Sequence, residues 1–140
     1  MNHHFELYRF VNAQLTSYDR ALSEIRSGKK RSHWMWFIFP QMKGLGTSQA
    51  AELYGIENLE EAAAYLQHPV LGNRLLEISK ALLELPVNNA TAILGTPDDL
   101  KLCSSMTLFA LIPGADPVFQ LILNKFYKGM PDAKTLLLLH

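Results

Sequence analysis

Residues 29–41, KKRSHWMWFIFPQ, decide the fold class of this 140-residue chain. Two tryptophans, two phenylalanines, an isoleucine and a methionine follow three cations, a serine and a histidine. By propensity WMWFIF suits a strand, because aromatic and β-branched side chains fit a pleated surface. A strand needs a partner, however, and no other segment offers a clear one. Alone it would leave its backbone N–H and C=O groups unpaired. Ser32 instead reads as the cap of a short buried helix that Pro40 ends. With that choice the prediction becomes all-α.

The segments on either side agree. Upstream, FELYRFVNAQL (5–15) sets Leu7, Phe10, Val11 and Leu15 at approximately helical spacing. TSYDRALSEIRSG (16–28) follows, with Thr16 or Ser17 as N-cap, Tyr18, Ala21, Leu22 and Ile25 on one face, and Gly28 as the stop. Downstream, a glycine loop leads to a short helix from about Ser48 to Tyr54, closed by Gly55. ENLEEAAAYLQHP (57–69) carries Asn58 as N-cap and Glu61 three residues on, and breaks before Pro69. PVLGNRLLEISKALLELP (69–86) is the most amphipathic stretch, with Val70, Leu71, Leu75, Ile78, Leu82 and Leu85 as its stripe. A helical turn within VNNATAILG comes next. Thr96 then caps a helix with Pro97 in its first position and Asp98 and Asp99 in its first turn. Asp116–Pro117 open another helix ending at Gly129, and Asp132 caps AKTLLLLH. The prediction is a compact single helical domain over 1–140, a bundle of roughly seven short helices.

Composition excludes several classes of function. An apolar fraction of 49% and a charged fraction of 19% suit a packed core and not a disordered chain. Lys plus Arg and Asp plus Glu number 13 each, so no global field draws the protein to nucleic acid or an anionic membrane. Only Lys29–Lys30–Arg31 forms a local basic run. A lone cysteine, Cys103, excludes an internal disulfide or a cysteine metal cluster. His3, His4, His33, His68 and His140 show no metal-ligand spacing, so no metal and no cofactor are predicted. The start, MNHHFELYRF, lacks the apolar core of a signal peptide, and no run approaches the ~18 apolar residues of a membrane span. The expected location is the cytoplasm.

Three places break the binary pattern. In RSHWMWFIFPQ, packing alone accounts for two tryptophans that fill volume. The sharper reading is a pocket wall, in which Trp34 and Trp36 offer indole faces to a planar ligand while Ser32, His33 and Gln41 supply polar contacts. In TPDDLKLCSSMTLF, a mostly apolar helix also holds Lys101, Ser104, Ser105 and Thr107. Asp98, Lys101 and Ser105 fall on one face, and a buried lysine needs a partner such as Asp98. Helix-dipole complementarity and hydroxyl bonds to the i−4 carbonyl explain the same residues without a ligand. In KGLGTS (43–48), Gly44 and Gly46 beside Thr47 and Ser48 are either an ordinary tight loop or a backbone cradle for an anion. Cys103, next to Lys101, is either a small buried hydrophobe or a thiol of lowered pKa.

KRSHWMWFIFPQMKGLG, YGIENLEEAAAYLQHPVLGNRL, GTPDDLKLCSSMTLF and GMPDAKTLLLL together resemble the bacterial domain-of-unknown-function family 1810, over nearly the whole chain. The resemblance implies a mainly helical single domain and no established activity. It also implies a basic residue at the position of Cys103, where this chain departs from the pattern. Some relatives carry the label calpastatin, but a calpain inhibitor of that type is a disordered polar repeat chain, unlike this apolar, repeat-free one.

The expected function is a small-molecule pocket between the 32–41 segment and the 97–109 helix, for a nucleotide or ADP-ribose-like ligand. N-glycoside hydrolysis is the reaction it would serve, with Asp98 or Asp99 as general base and Lys101, Ser104, Ser105 and the Gly44–Gly46 loop on phosphate or ribose. The alternative is a non-enzymatic protein-interaction module anchored on the cations and aromatics. A homo-oligomer built on the C-terminal leucines is a third reading. Nucleic acid and membrane are not expected partners.

Overall fold

A computed structural model describes residues 5–139 and contains ten α-helices among them. They are α1 (Tyr8–Gln14), α2 (Tyr18–Arg26), α3 (Met35–Ile38), α4 (Gln49–Tyr54), α5 (Leu59–Gln67), α6 (Leu71–Glu84), α7 (Ala90–Leu94), α8 (Asp98–Ala110), α9 (Val118–Tyr127) and α10 (Ala133–Leu138). The fold is all-α, as predicted, but ten helices replace about seven. Five of them, α1, α3, α4, α7 and α10, have seven residues or fewer. Three of the short pieces, α4, α7 and α10, are separate helices with a side-chain cap at their start. Ser48 accepts the amide of Ala51, Asn89 that of Ala92, and Asp132 that of Thr135.

Among the described residues there is no strand; the extended backbone forms one isolated parallel bridge, Met42 with Ile56. The aromatic run is helical only from Met35 to Ile38. Trp34 stands just outside as the N-cap residue, and Ser32, predicted to cap, spends its hydroxyl elsewhere. The helix that follows Thr96 starts one residue later than predicted, at Asp98, with Pro97 in the cap position. His3, His4 and His140 lie outside the described residues.

The core is built around α8 and α6. Leu102, Met106, Leu108 and Phe109 of α8 are buried, against α9, α10, α7 and α5. Leu71, Leu75, Ile78 and Leu82 of α6 are buried against α2, α5 and α9, each contributing roughly 1.5–3 kcal/mol of apolar transfer. Val70 and Leu85, the ends of that predicted stripe, are exposed and half-buried. Gly72 permits the close crossing of α5 and α6: a Cβ there would sit 2.0 Å from the carbonyl oxygen of Leu66.

Polar ties fix the helices that apolar contact alone would leave free to slide. Gln14 donates to the Phe37 carbonyl (2.8 Å) and to the Tyr65 hydroxyl (3.0 Å), joining α1 to α3 and α5. Arg9 donates to the carbonyls of Leu53 and Gly55 and pairs with buried Glu61 at 3.0 Å. The Lys125 ammonium donates to the carbonyls of Leu82, Leu83 and Leu85 and so satisfies the open end of α6. Burial there pulls its pKa below the usual lysine value.

Candidate functional site

The segment 31–34 is organised from behind by one carboxylate. Glu24, on the buried face of α2, accepts the amides of Arg31 (2.8 Å) and Ser32 (3.0 Å), the Ser32 hydroxyl (2.6 Å) and the Trp34 indole N–H (2.9 Å). Burial alone would raise its pKa; these donors outweigh burial and hold the carboxyl at about 2. Trp34 is thereby fixed with its ring in the core, 1% exposed.

Trp36 turns the other way. It lines a cleft of about 660 Å³, larger than three others of about 370, 240 and 260 Å³. One side of this cleft is Gln41, Leu45, Gly46, Thr47, Ser48 and Ala51; the facing side is Pro97, Leu100, Lys101 and Ser104 of the α8 region. Asp132, Ala133 and Lys134 at the start of α10 complete it. Gln41 is held in place because its backbone belongs to the extended pairing: its carbonyl accepts the amide of Ile56, and the Lys43 amide returns to the Ile56 carbonyl. Gly46 fits because the loop presses on α4, where a Cβ would come 2.9 Å from that of Ala51.

A line of charge runs under this cleft. The Lys101 ammonium lies over the Trp36 ring, 4.1 Å from its centroid, and 3.6 Å from one oxygen of Asp98. The other oxygen of Asp98 meets the Lys30 ammonium at 2.9 Å. The Lys30 side chain is 8% exposed, and its ammonium lies 5.1 Å from the centroid of the Trp34 ring. The basic run at 29–31 is therefore no continuous surface patch. Its middle residue faces inward as an ion-pair partner, while Lys29 and Arg31 are exposed.

The residues predicted as a site thus divide. Trp36, Gln41, Gly46, Lys101 and Ser104 meet around one cleft. Trp34 and Ser32 stand behind it on Glu24, and His33 is exposed and not part of the lining. Gly44 adopts a φ of +101° away from the lining. Asp98 carries an ammonium on each oxygen; Asp99 accepts the Thr91 hydroxyl at 2.6 Å and its own helix amide at Leu100. Ser104 donates to the Leu100 carbonyl and Thr107 to that of Cys103, the i−4 bonds that sequence alone suggests. Thr107 also accepts the Asp132 amide, which seats α10 against α8. Ser105 is buried with no hydrogen-bond partner. The Cys103 thiol is pushed up to about 11 by burial and by Asp132, so the reading of a lowered pKa is overturned.

Sequence reasoning missed Glu24, Lys30 and the α10 wall. Glu24 reads as one more polar residue on a solvated face, although it lies between Leu22 and Ile25 of the apolar stripe. The GMPDAK motif marks the α10 wall, but nothing local says that Asp132 and Lys134 come to face Lys101. Among the described residues no group of three His, Cys, Asp or Glu converges as a metal-ligand set, and no helix is long and apolar enough to cross a membrane.

Comparison with known proteins supports the fold. A family model described as protein of unknown function (DUF1810) matches residues 4–139. The crystal structure of the conserved hypothetical protein Rv1873 from Mycobacterium tuberculosis is similar over 96% of each chain, with 51% identity and a TM-score of 0.94. None of the curated proteins matches this chain.

Proposed function

We propose a function from the chain's own geometry, because it belongs to a family whose description, protein of unknown function (DUF1810), names no activity. Acting as one helical domain, the protein binds a nucleotide or ADP-ribose-like small molecule in the cleft between the 36–48 segment and α8. The observation that carries this reading is that Trp36 and Lys101, far apart in the chain, line one cleft of a size suited to such a ligand. Trp36 offers a face for a base, provided the Lys101 ammonium moves from the ring to a phosphate. Gln41, Thr47 and Ser104 are within the same lining for ribose or phosphate oxygens.

Binding is the function favoured over hydrolysis. Both oxygens of Asp98 are engaged by lysines, and Asp99 is engaged by Thr91 and its own helix, so each named candidate base is already committed. Cleavage of an N-glycosidic bond in the bound ligand is the reaction to assay beside binding. The test is thermal stabilisation by AMP, ADP, ADP-ribose and ribose 5-phosphate. A ligand at a hundredfold its Kd should stabilise the fold by ~2.7 kcal/mol. Lys101→Met and Trp36→Leu should each abolish that gain. No stabilisation by any of the four, or equal stabilisation of both variants, would sink the reading. A non-enzymatic protein-interaction module would then stand in its place. That alternative has its own observation: Leu100, Met130 and Leu137 are 63%, 66% and 74% exposed.

A further inference from the structure

We infer that Lys30, which does not line the cleft, gives the cleft its preference for an anionic group. The inference takes the cleft as the ligand site proposed above and adds the chemical requirement on what enters it.

The argument begins with Asp98, the carboxylate shared by two ammoniums. Were Asp98 paired with Lys101 alone, the two charges would cancel and the cleft would meet a nearly neutral floor. Lys30 occupies the second oxygen at 2.9 Å, closer than the 3.6 Å between Asp98 and Lys101. Asp98 is thus the tighter partner of the buried cation, and Lys101 retains surplus positive charge where it meets the open volume. Lys30 is held away from solvent. Its side chain is 8% exposed, its backbone amide donates to the Ile93 carbonyl (2.8 Å), and its ammonium also lies near the Trp34 ring.

The opposite wall does not cancel this surplus. Lys134 and Asp132 both line the cleft, one of each sign. The Asp132 carboxylate already accepts the Thr135 amide (2.9 Å) and hydroxyl (2.6 Å) as the cap of α10. Across Lys30, Asp98, Lys101, Asp132 and Lys134 one positive charge is left unmatched. A ligand that brings a phosphate or carboxylate matches it; an uncharged riboside does not. Lys30 acts here through Asp98 and is a positioning residue, out of reach of the ligand itself.

Trp36 reports on this charge without any ligand. Trp34 is 1% exposed, so collisional quenching of the protein's fluorescence is quenching of Trp36. Iodide, an anion, should reach Trp36 more efficiently than its size alone allows, with neutral acrylamide as the reference. Lys30→Met should lower the iodide-to-acrylamide quenching ratio by about two- to fivefold at low salt, the effect of one unit charge at short range. Asp98→Asn should raise it by a similar factor, Lys30→Arg should restore the wild-type ratio, and the differences should vanish in high salt. A ratio unchanged in Lys30→Met, or unchanged in Asp98→Asn, overturns the inference. So does a fall in acrylamide quenching that matches the fall in iodide quenching, because that would be a change in access and not in charge. This measurement succeeds or fails independently of nucleotide binding, so it separates an error about the charge from an error about the ligand.

Discussion

Trp34 and Trp36 are two residues apart and lead different lives. Trp34 has its indole N–H on a buried carboxylate and its ring in the core, next to Phe39. Trp36 is half-buried, with an ammonium over its face and open volume beside it. The same side chain is a structural anchor on one side of the turn and a cleft wall on the other. The region behind the turn is closed, with four donors gathered on the Glu24 carboxylate. The region in front holds polar groups, such as the Gln41 amide and the Lys134 ammonium, with room left between them. Tight satisfaction behind is what allows incompleteness in front, because the half-exposed wall does not have to hold itself up.

The sharpest way to break that contrast is to remove its anchor. Glu24→Ala leaves the amides of Arg31 and Ser32 and the Trp34 N–H without their acceptor. It should cost about 3–5 kcal/mol in urea unfolding. A loss below about 1 kcal/mol would mean that the turn is held by apolar contact alone.

Acid should have the next largest effect. The Glu24 carboxyl has its ordinary value of 4.5 in the unfolded chain and about 2 in the folded one. The unfolded chain therefore takes up the proton first. Stabilisation by this group is full above pH about 4.5 and is lost as the pH falls through about 2. The stability gap between wild type and Glu24→Gln should narrow across that window; a gap independent of pH would remove Glu24 from the account of acid sensitivity.

The smallest effect belongs to the open side. Lys101 and Asp98 are partly solvated, so Lys101→Met should change stability by less than about 1 kcal/mol, by chemical denaturation, while removing the ligand-induced gain. A large destabilisation would make Lys101 an anchor like Glu24 and erase the distinction between the two faces.

Much of the helical framework is readable because its signals are local. Asn58 with Glu61, Ser48, Asp132 and Gly28 mark boundaries within one turn of themselves, and the structure places caps or stops at each. The α6 stripe is likewise local, since Leu71, Leu75, Ile78 and Leu82 recur at helical spacing. The cleft is only half legible. Lys101 and Asp98 are close in sequence and their pairing is foreseeable, but five helices, α3 to α7, separate Lys30 from Asp98 in the chain, and no periodicity encodes their meeting. The reading of both tryptophans as one pocket wall fails, because positions two apart do not share a helix face and α3 is only four residues long. Trp34 precedes it, so the geometry of a regular helix does not apply to it. Glu24 was invisible for a related reason: its worth lies in donors seven to ten residues on, beyond a loop that closes back over α2.

The lysine that closes α6 carries a consequence for how the chain assembles. Leu85 follows the helix in extended form and Pro86 comes next, with no glycine to curl the backbone over the last carbonyls. Their acceptors are met by a cation from α9, some forty positions later. Until residue 125 is in place, these carbonyls have only water to meet them. The last turn of α6 is therefore completed across the chain and not within it.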